Sequence, residues 1–132
     1  MRVSSWIGIA LAAVWVTAAS ADVTFYIDGD CRGQSFTRHG GQIANLKSIY
    51  YEEPCERERS IGKDGEIDIP YWTTCRYSFN DTIESVEIDG SESVEIFEHR
   101  NFRGDSELLD QGKGCYGLGP LWNIGSSIKI YR

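Results

Sequence analysis

Histidine, zinc-type cysteine spacing and basic clusters are all scarce in this 132-residue chain, and each shortage removes a class of function. The two histidines, His39 and His99, lie in no metal-ligand or nucleophile signature. The four cysteines, Cys31, Cys55, Cys75 and Cys115, form no C-x-x-C pair, which leaves a zinc site without support. No basic cluster is longer than "CERERS" and the formal net charge is −7, so neither a nucleic-acid ligand nor a cationic membrane-disrupting peptide is expected. The carboxylates are spread over strands and loops, and none stands out as a glycosidase pair. An enzyme is not expected. The acidity favours solubility and leaves cation binding open.

Long apolar runs are confined to the N-terminus. Met1 and Arg2 precede an apolar stretch from Trp6 to Val16, and Ala19-Ser20-Ala21 is an A-x-A cleavage pattern. Residues 1–21 therefore read as a signal peptide, too short in its apolar part to serve as a transmembrane anchor. The expected mature domain, residues 22–132, is one unit with a single modest core. Removal of Arg2 makes it one unit more acidic than the whole chain. A secreted, extracellular location makes four cysteines read as two disulfides, with three connectivities open.

Helix signals are also rare. Val86-Glu87-Ile88, Val94-Glu95-Ile96 and Ile128-Lys129-Ile130-Tyr131 alternate as half-buried strands do, and Asp-Gly pairs at 28, 64 and 89 punctuate the chain as hairpin turns. One helical turn is expected within "GGQIANLKSIYY", residues 40 to 51. No low-complexity linker divides the chain.

What the chain does contain is a repeat. "TFYIDGDCRGQSF" (24 to 36) aligns with "EIFEHRNFRGDSEL" (95 to 108) at an offset of 71, matching Tyr26 to Phe97, Cys31 to Phe102, Arg32 to Arg103 and Gly33 to Gly104. "NDTIESVEI" (80 to 88) aligns with "WNIGSSIKI" (122 to 130) at an offset of 42. Each copy is thus a hairpin, a spacer, a polar loop ending in serine, and a strand. The stretch Phe97-EHRN-Phe102-R-Gly104 and the two loops resemble the βγ-crystallin superfamily over the whole of residues 23 to 132. The first hairpin departs from the family pattern by placing Cys31 where an aromatic is usual, a position from which a disulfide would pin the hairpin.

The resemblance implies an all-β, disulfide-stabilised sandwich of two Greek-key motifs, about 23–89 and about 93–132. Gly33 to Ser85 is 52 positions against 23 from Gly104 to Ser127, so the first motif carries an insertion, about 40–73. Cys55 lies inside it, and its disulfide is expected to tie the insertion to the body. The insertion reads either as a tolerated surface excursion or as a partner-binding loop.

The resemblance also implies calcium as a cofactor, two sites per domain, each built from a polar loop and the hairpin of the other motif. The first loop, Asn80 to Ser85, supplies Asp81, the Thr82 carbonyl and Glu84, with Glu98 as the expected crossed partner. The second, Trp122 to Ser127, supplies Asn123, the Ile124 carbonyl and Ser126, with Ile27 as partner. Ile27 has no side-chain oxygen, so the second site reads as degraded. Asn80 also opens an N-x-[ST] glycosylation acceptor, and a glycan there would crowd the loop. Three functional classes follow: a secreted monomeric module binding an extracellular protein or cell-surface target; a toxin, antimicrobial or host-directed effector; and a protease inhibitor using the segment around Cys55 as its reactive loop.

Overall fold

The computed structural model describes residues 22–62 and 67–132; the expected signal peptide lies outside them. Among the described residues no helix is long and apolar enough to cross a membrane. Among the described residues ten strands follow one another: β1 (Val23–Asp28), β2 (Arg32–Arg38), β3 (Gly41–Ile43), β4 (Tyr50–Ile61), β5 (Ile67–Ser78), β6 (Ser85–Ile88), β7 (Ser93–His99), β8 (Arg103–Leu109), β9 (Gly114–Gly117) and β10 (Ser127–Tyr131). The expected helical turn is a 3-10 turn, Leu46–Ser48, opened by the Asn45 side chain, which accepts from the Lys47 amide at 3.0 Å.

Two four-stranded antiparallel sheets form the body, in the orders β2-β1-β6-β9 and β3-β10-β7-β8. The third strand of each repeat has left its own sheet: β3 pairs with β10, and β9 pairs with β6. The two motifs are therefore interlocked. The alternating residues pack between the sheets, with Val86, Ile88, Val94, Ile96 and Ile128 fully buried, while Glu87 points to solvent. Phe25 stacks on Phe36 at 4.9 Å, and Phe79 meets Phe36 edge-on at 4.6 Å. Such pairs add to the burial of their large apolar area.

The two repeat hairpins fold over their own strands in the same way. Asp30 and Cys31 have φ of 58° and 55°, and Asn101 and Phe102, their counterparts 71 positions on, have 59° and 60°. Gly33 and Gly104 follow at +84° and +81°. Side chains are disfavoured in that region, and a Cβ would in addition collide with Asp28 Oδ2 at the first position and sit 2.6 Å from His99 Cδ2 at the second. Glycine is the residue that both turns require.

The insertion differs from expectation in place, form and tether. It occupies β4 and β5, not about 40–73, because Gly41–Ile43 already belongs to the second body sheet. It is a continuous two-stranded ribbon paired from Tyr50↔Ser78 to Ile61↔Ile67. Cys55 bonds Cys75, so this disulfide joins the two strands of the ribbon rather than the insertion to the body. "EEPCERERS" is consequently a paired strand, not a free loop. The ribbon is rooted by the Phe79 amide donating to the Ile49 carbonyl at 2.9 Å and by Tyr51 packing on Phe79 at 5.0 Å. Arg76 lies over the Tyr50 ring at 4.2 Å. The second disulfide, Cys31–Cys115, pins the first hairpin to β9, 84 residues away in the chain.

Candidate functional site

The polar loops of the two motifs meet at one end of the sandwich, stitched by backbone. The Asp81 amide donates to the Gly125 carbonyl at 3.0 Å, and the Asn123 amide donates to the Ile83 carbonyl at 3.1 Å. Each loop also docks on the hairpin of its own motif: the Glu84 amide donates to the Tyr26 carbonyl at 3.0 Å, and the Ser126 amide to the Phe97 carbonyl at 2.8 Å.

That arrangement reassigns the expected ligand sets. What crosses between motifs is the second residue of each loop, not the hairpin. Asp81 reaches the second loop, where its Oδ1 accepts from the Ser126 hydroxyl at 3.3 Å. Asn123 reaches the first loop, where its Nδ2 donates to Glu84 Oε1 at 3.2 Å. Glu98, expected to complete the first loop, instead stands with the second: Asp81, Glu98, His99, Asn123, Ile124 and Ser126 line an open cleft of about 320 Å³. Its lining residues bring two carboxylates, of Asp81 and Glu98, and the Ser126 hydroxyl, with Ile124 beside them. Glu98 Oε1 lies 3.8 Å from His99 Nε2, and its other oxygen accepts weakly from the Asp105 amide at 3.4 Å.

The other half-site holds Glu84 against Asn123, and the Glu84 amide is anchored on the carbonyl of Tyr26, the chain neighbour of Ile27. The Thr82 hydroxyl donates to the Phe79 carbonyl at 3.0 Å, and Ile27 packs against the core. This half-site has one carboxylate. Calcium takes six to eight hard oxygens in a flexible cage, drawn from carboxylates, carbonyls and water. The Asp81–Glu98 cleft fits that chemistry with water completing the shell; the Glu84 half-site fits it poorly. Among the described residues no three His, Cys, Asp or Glu side chains cluster as a cage on their own, so carbonyl and hydroxyl oxygens would be indispensable.

A larger cleft, about 640 Å³, adjoins the first and shares Asp81, His99 and Ser126 with it. Its remaining walls are Asn45, Lys47, Asn80, Arg100, Asn101 and Arg103. The sequence reading missed this basic cleft. Arg100 and Arg103 were visible on the second hairpin, but Lys47 is more than fifty positions away and joins them because the Asn101 amide donates to the Ala44 carbonyl at 2.8 Å and the Leu46 amide to the Ser126 carbonyl at 2.9 Å. Asn80, the glycosylation candidate, is half-buried in the same wall.

Two interlocked Greek keys with left-handed hairpin corners and apposed polar loops define an all-β sandwich of a recognisable class. Its structural neighbours are βγ-crystallin domains. The N-terminal domain of protein S superposes with a TM-score of 0.54 at 20% identity, over 83% of this chain and 94% of that one. A structure bearing on the evolution of the eye-lens βγ-crystallin domain fold gives 0.58 at 16% identity, over 85% and 86%. A βγ-crystallin domain from Clostridium beijerinckii gives 0.52 at 21%, over 83% and 95%. No family model and no curated protein matches the chain. The fold of this protein is the βγ-crystallin fold, with the β4–β5 ribbon as an addition.

Proposed function

We propose that this chain is a secreted βγ-crystallin-like binding module whose fold is stabilised by one calcium ion in the Asp81–Glu98 cleft. The observation that carries the reading is the crossing of Asp81 from the first motif to Ser126 of the second. A cation held by Asp81, Glu98, Ser126 and the Ile124 carbonyl would link the two motifs and screen two neighbouring carboxylates. Secretion is supported by the signal-peptide pattern and by two disulfides, which persist in oxidising compartments.

Thermal melting with millimolar calcium and with chelator is the test. A ligand that binds only the native state raises stability by RT ln(1 + [L]/Kd), so the effect grows with the logarithm of its concentration. Calcium is expected to raise Tm, and Asp81→Asn to abolish most of the rise. An unchanged Tm in wild-type protein would remove the reading.

A second reading, engagement of an extracellular protein target, is favoured by the ribbon. Trp72 is 73% exposed at its middle, and Ile69 and Tyr71, earlier on the same strand, are exposed as well. Exposed aromatics are enriched among the residues that anchor protein interfaces. Loss of target binding by Trp72→Ala, with Tm unchanged, is the expected signature; intact binding would exclude the ribbon as the contact.

A further inference from the structure

The acidic chain concentrates three cations around one concavity. Lys47, Arg100 and Arg103 line the 640 Å³ cleft, and among the described residues none of them lies within 4.0 Å of a carboxylate. Their charge is available. Asn45, Asn80 and Asn101 stand between them, and the amide of Asn45 keeps its NH₂ free because only its oxygen is used in capping the 3-10 turn. Four backbone hydrogen bonds hold the walls: Asn101 to Ala44, Leu46 to Ser126, Asp81 to Gly125, and Ser126 to Phe97, all between 2.8 and 3.0 Å. The cleft is formed before any ligand arrives, so little ordering cost opposes binding.

We infer that this cleft binds an acidic saccharide, a sugar unit carrying a sulfate or carboxylate group. The guanidinium groups of Arg100 and Arg103 suit a planar or tetrahedral oxyanion, and Lys47 adds a point charge. The asparagine amides both donate and accept, which matches sugar hydroxyls rather than an aliphatic anion. Asp81 opposes the ligand's charge, but three cations outnumber it. The volume lies in the usual range for small-ligand sites. A nucleic acid is a worse occupant, because no Phe, Tyr or Trp lines the cleft for base stacking and a chain of net charge −7 repels an extended polyanion.

The test uses the chain with both disulfides formed and Asn80 unmodified, titrated in chelator with a sulfated disaccharide, a uronic disaccharide, a neutral disaccharide and a short single-stranded DNA. Binding is followed by calorimetry and by amide chemical shifts. Either acidic disaccharide is expected to bind, with shifts at Asn101 and Lys47, and Arg103→Ala and Arg100→Ala are each expected to weaken it on the order of tenfold while Arg57→Ala on the ribbon leaves it unchanged. Both cleft arginines are exposed, and an unchanged Tm confirms that each variant is folded. Absence of binding by both acidic sugars, equal binding of the neutral sugar, tighter binding of the DNA, or indifference to both arginine substitutions would each overturn the assignment. Binding that appears only when calcium replaces chelator would also overturn it, since the ligand would then be held by the ion in the neighbouring cleft.

Discussion

The Ser127 hydroxyl, fully buried, accepts the amide of Phe102 at 3.0 Å and donates to the carbonyl of His99 at 2.6 Å. Ser85 repeats the arrangement with the Cys31 amide at 2.9 Å and the Asp28 carbonyl at 2.5 Å. In both motifs the last serine of the polar loop therefore closes the hairpin corner, at the residues forced to positive φ. Removing the hydroxyl leaves a buried N–H without its partner. Ser127→Ala and Ser85→Ala are each expected to cost roughly 1–3 kcal/mol, the usual penalty for such an orphan. Urea unfolding measures it, and a loss within experimental error would show that water replaces the clasp.

Glu95 predicts the behaviour at the pH extremes. Its Oε1 accepts from the Tyr131 hydroxyl and its Oε2 from the Ser106 hydroxyl, both at 2.7 Å. The Tyr131 hydrogen bond, followed by that from Ser106, holds the Glu95 carboxyl below its usual range. The same bond raises the Tyr131 phenol above its usual range. A carboxylate with a lowered folded pKa contributes stability above its unfolded pKa and loses it as pH falls through the folded one. A phenol with a raised folded pKa contributes below its unfolded pKa and loses it as pH rises through the folded one. The contact should therefore help between about pH 5 and 9, given ordinary carboxyl and phenol values near 4 and 10. Tyr131→Phe is expected to flatten both limbs of the stability profile; an unaltered acid limb would contradict the assignment.

Much of the fold was legible because the repeat carries its own geometry. The offset of 71 that aligned Cys31 with Phe102 also aligns their left-handed backbone, and the alternating triplets at 86, 94 and 128 are body strands. The ribbon was illegible for a physical reason. Glu56-Arg57-Glu58-Arg59 is exposed on both faces, so no hydrophobic period marks it as a strand. The candidate cation site was half legible. Asp81, Glu98, Ile124 and Ser126 were all named as ligands, but they were divided between two sites. Which residue crosses between motifs depends on how the loops appose in space, and nothing in their spacing states that.

The two disulfides should separate in their effects. Cys31–Cys115 links the first hairpin to β9 across 84 residues, and its loss should cost roughly 4–5 kcal/mol if the unfolded chain gains the full loop entropy. Cys55–Cys75 closes 20 residues within a ribbon that packs on the body at its root, through Tyr51 on Phe79. Isolated two-stranded hairpins are marginal in water. Cys55→Ala with Cys75→Ala should therefore expose β4 and β5 to proteolysis and amide exchange while the body melts at nearly the same temperature. A large fall in the body's Tm would mean that the ribbon is part of its cooperative unit.

The asymmetry of the two polar loops gives the sharpest check on the calcium reading. Glu98 contributes one of the two carboxylates in the cleft with Asp81, whereas Glu84 stands as a single carboxylate accepting from Asn123. Glu98→Gln should remove most of the calcium-induced rise in Tm, and Glu84→Gln should leave it largely intact, since charge count and oxygen number govern affinity. Ile27→Glu tests the degraded half-site from the other side. It replaces a side chain packed on the core, so Tm in chelator should fall by the loss of that burial. It also adds a carboxylate to the hairpin on which Glu84 docks through the Tyr26 carbonyl, so the calcium-induced rise should exceed that of wild type if that hairpin faces a metal position. If Ile27→Glu lowers Tm equally with and without calcium, the first hairpin does not face a metal position and only the Asp81–Glu98 cleft remains as a site.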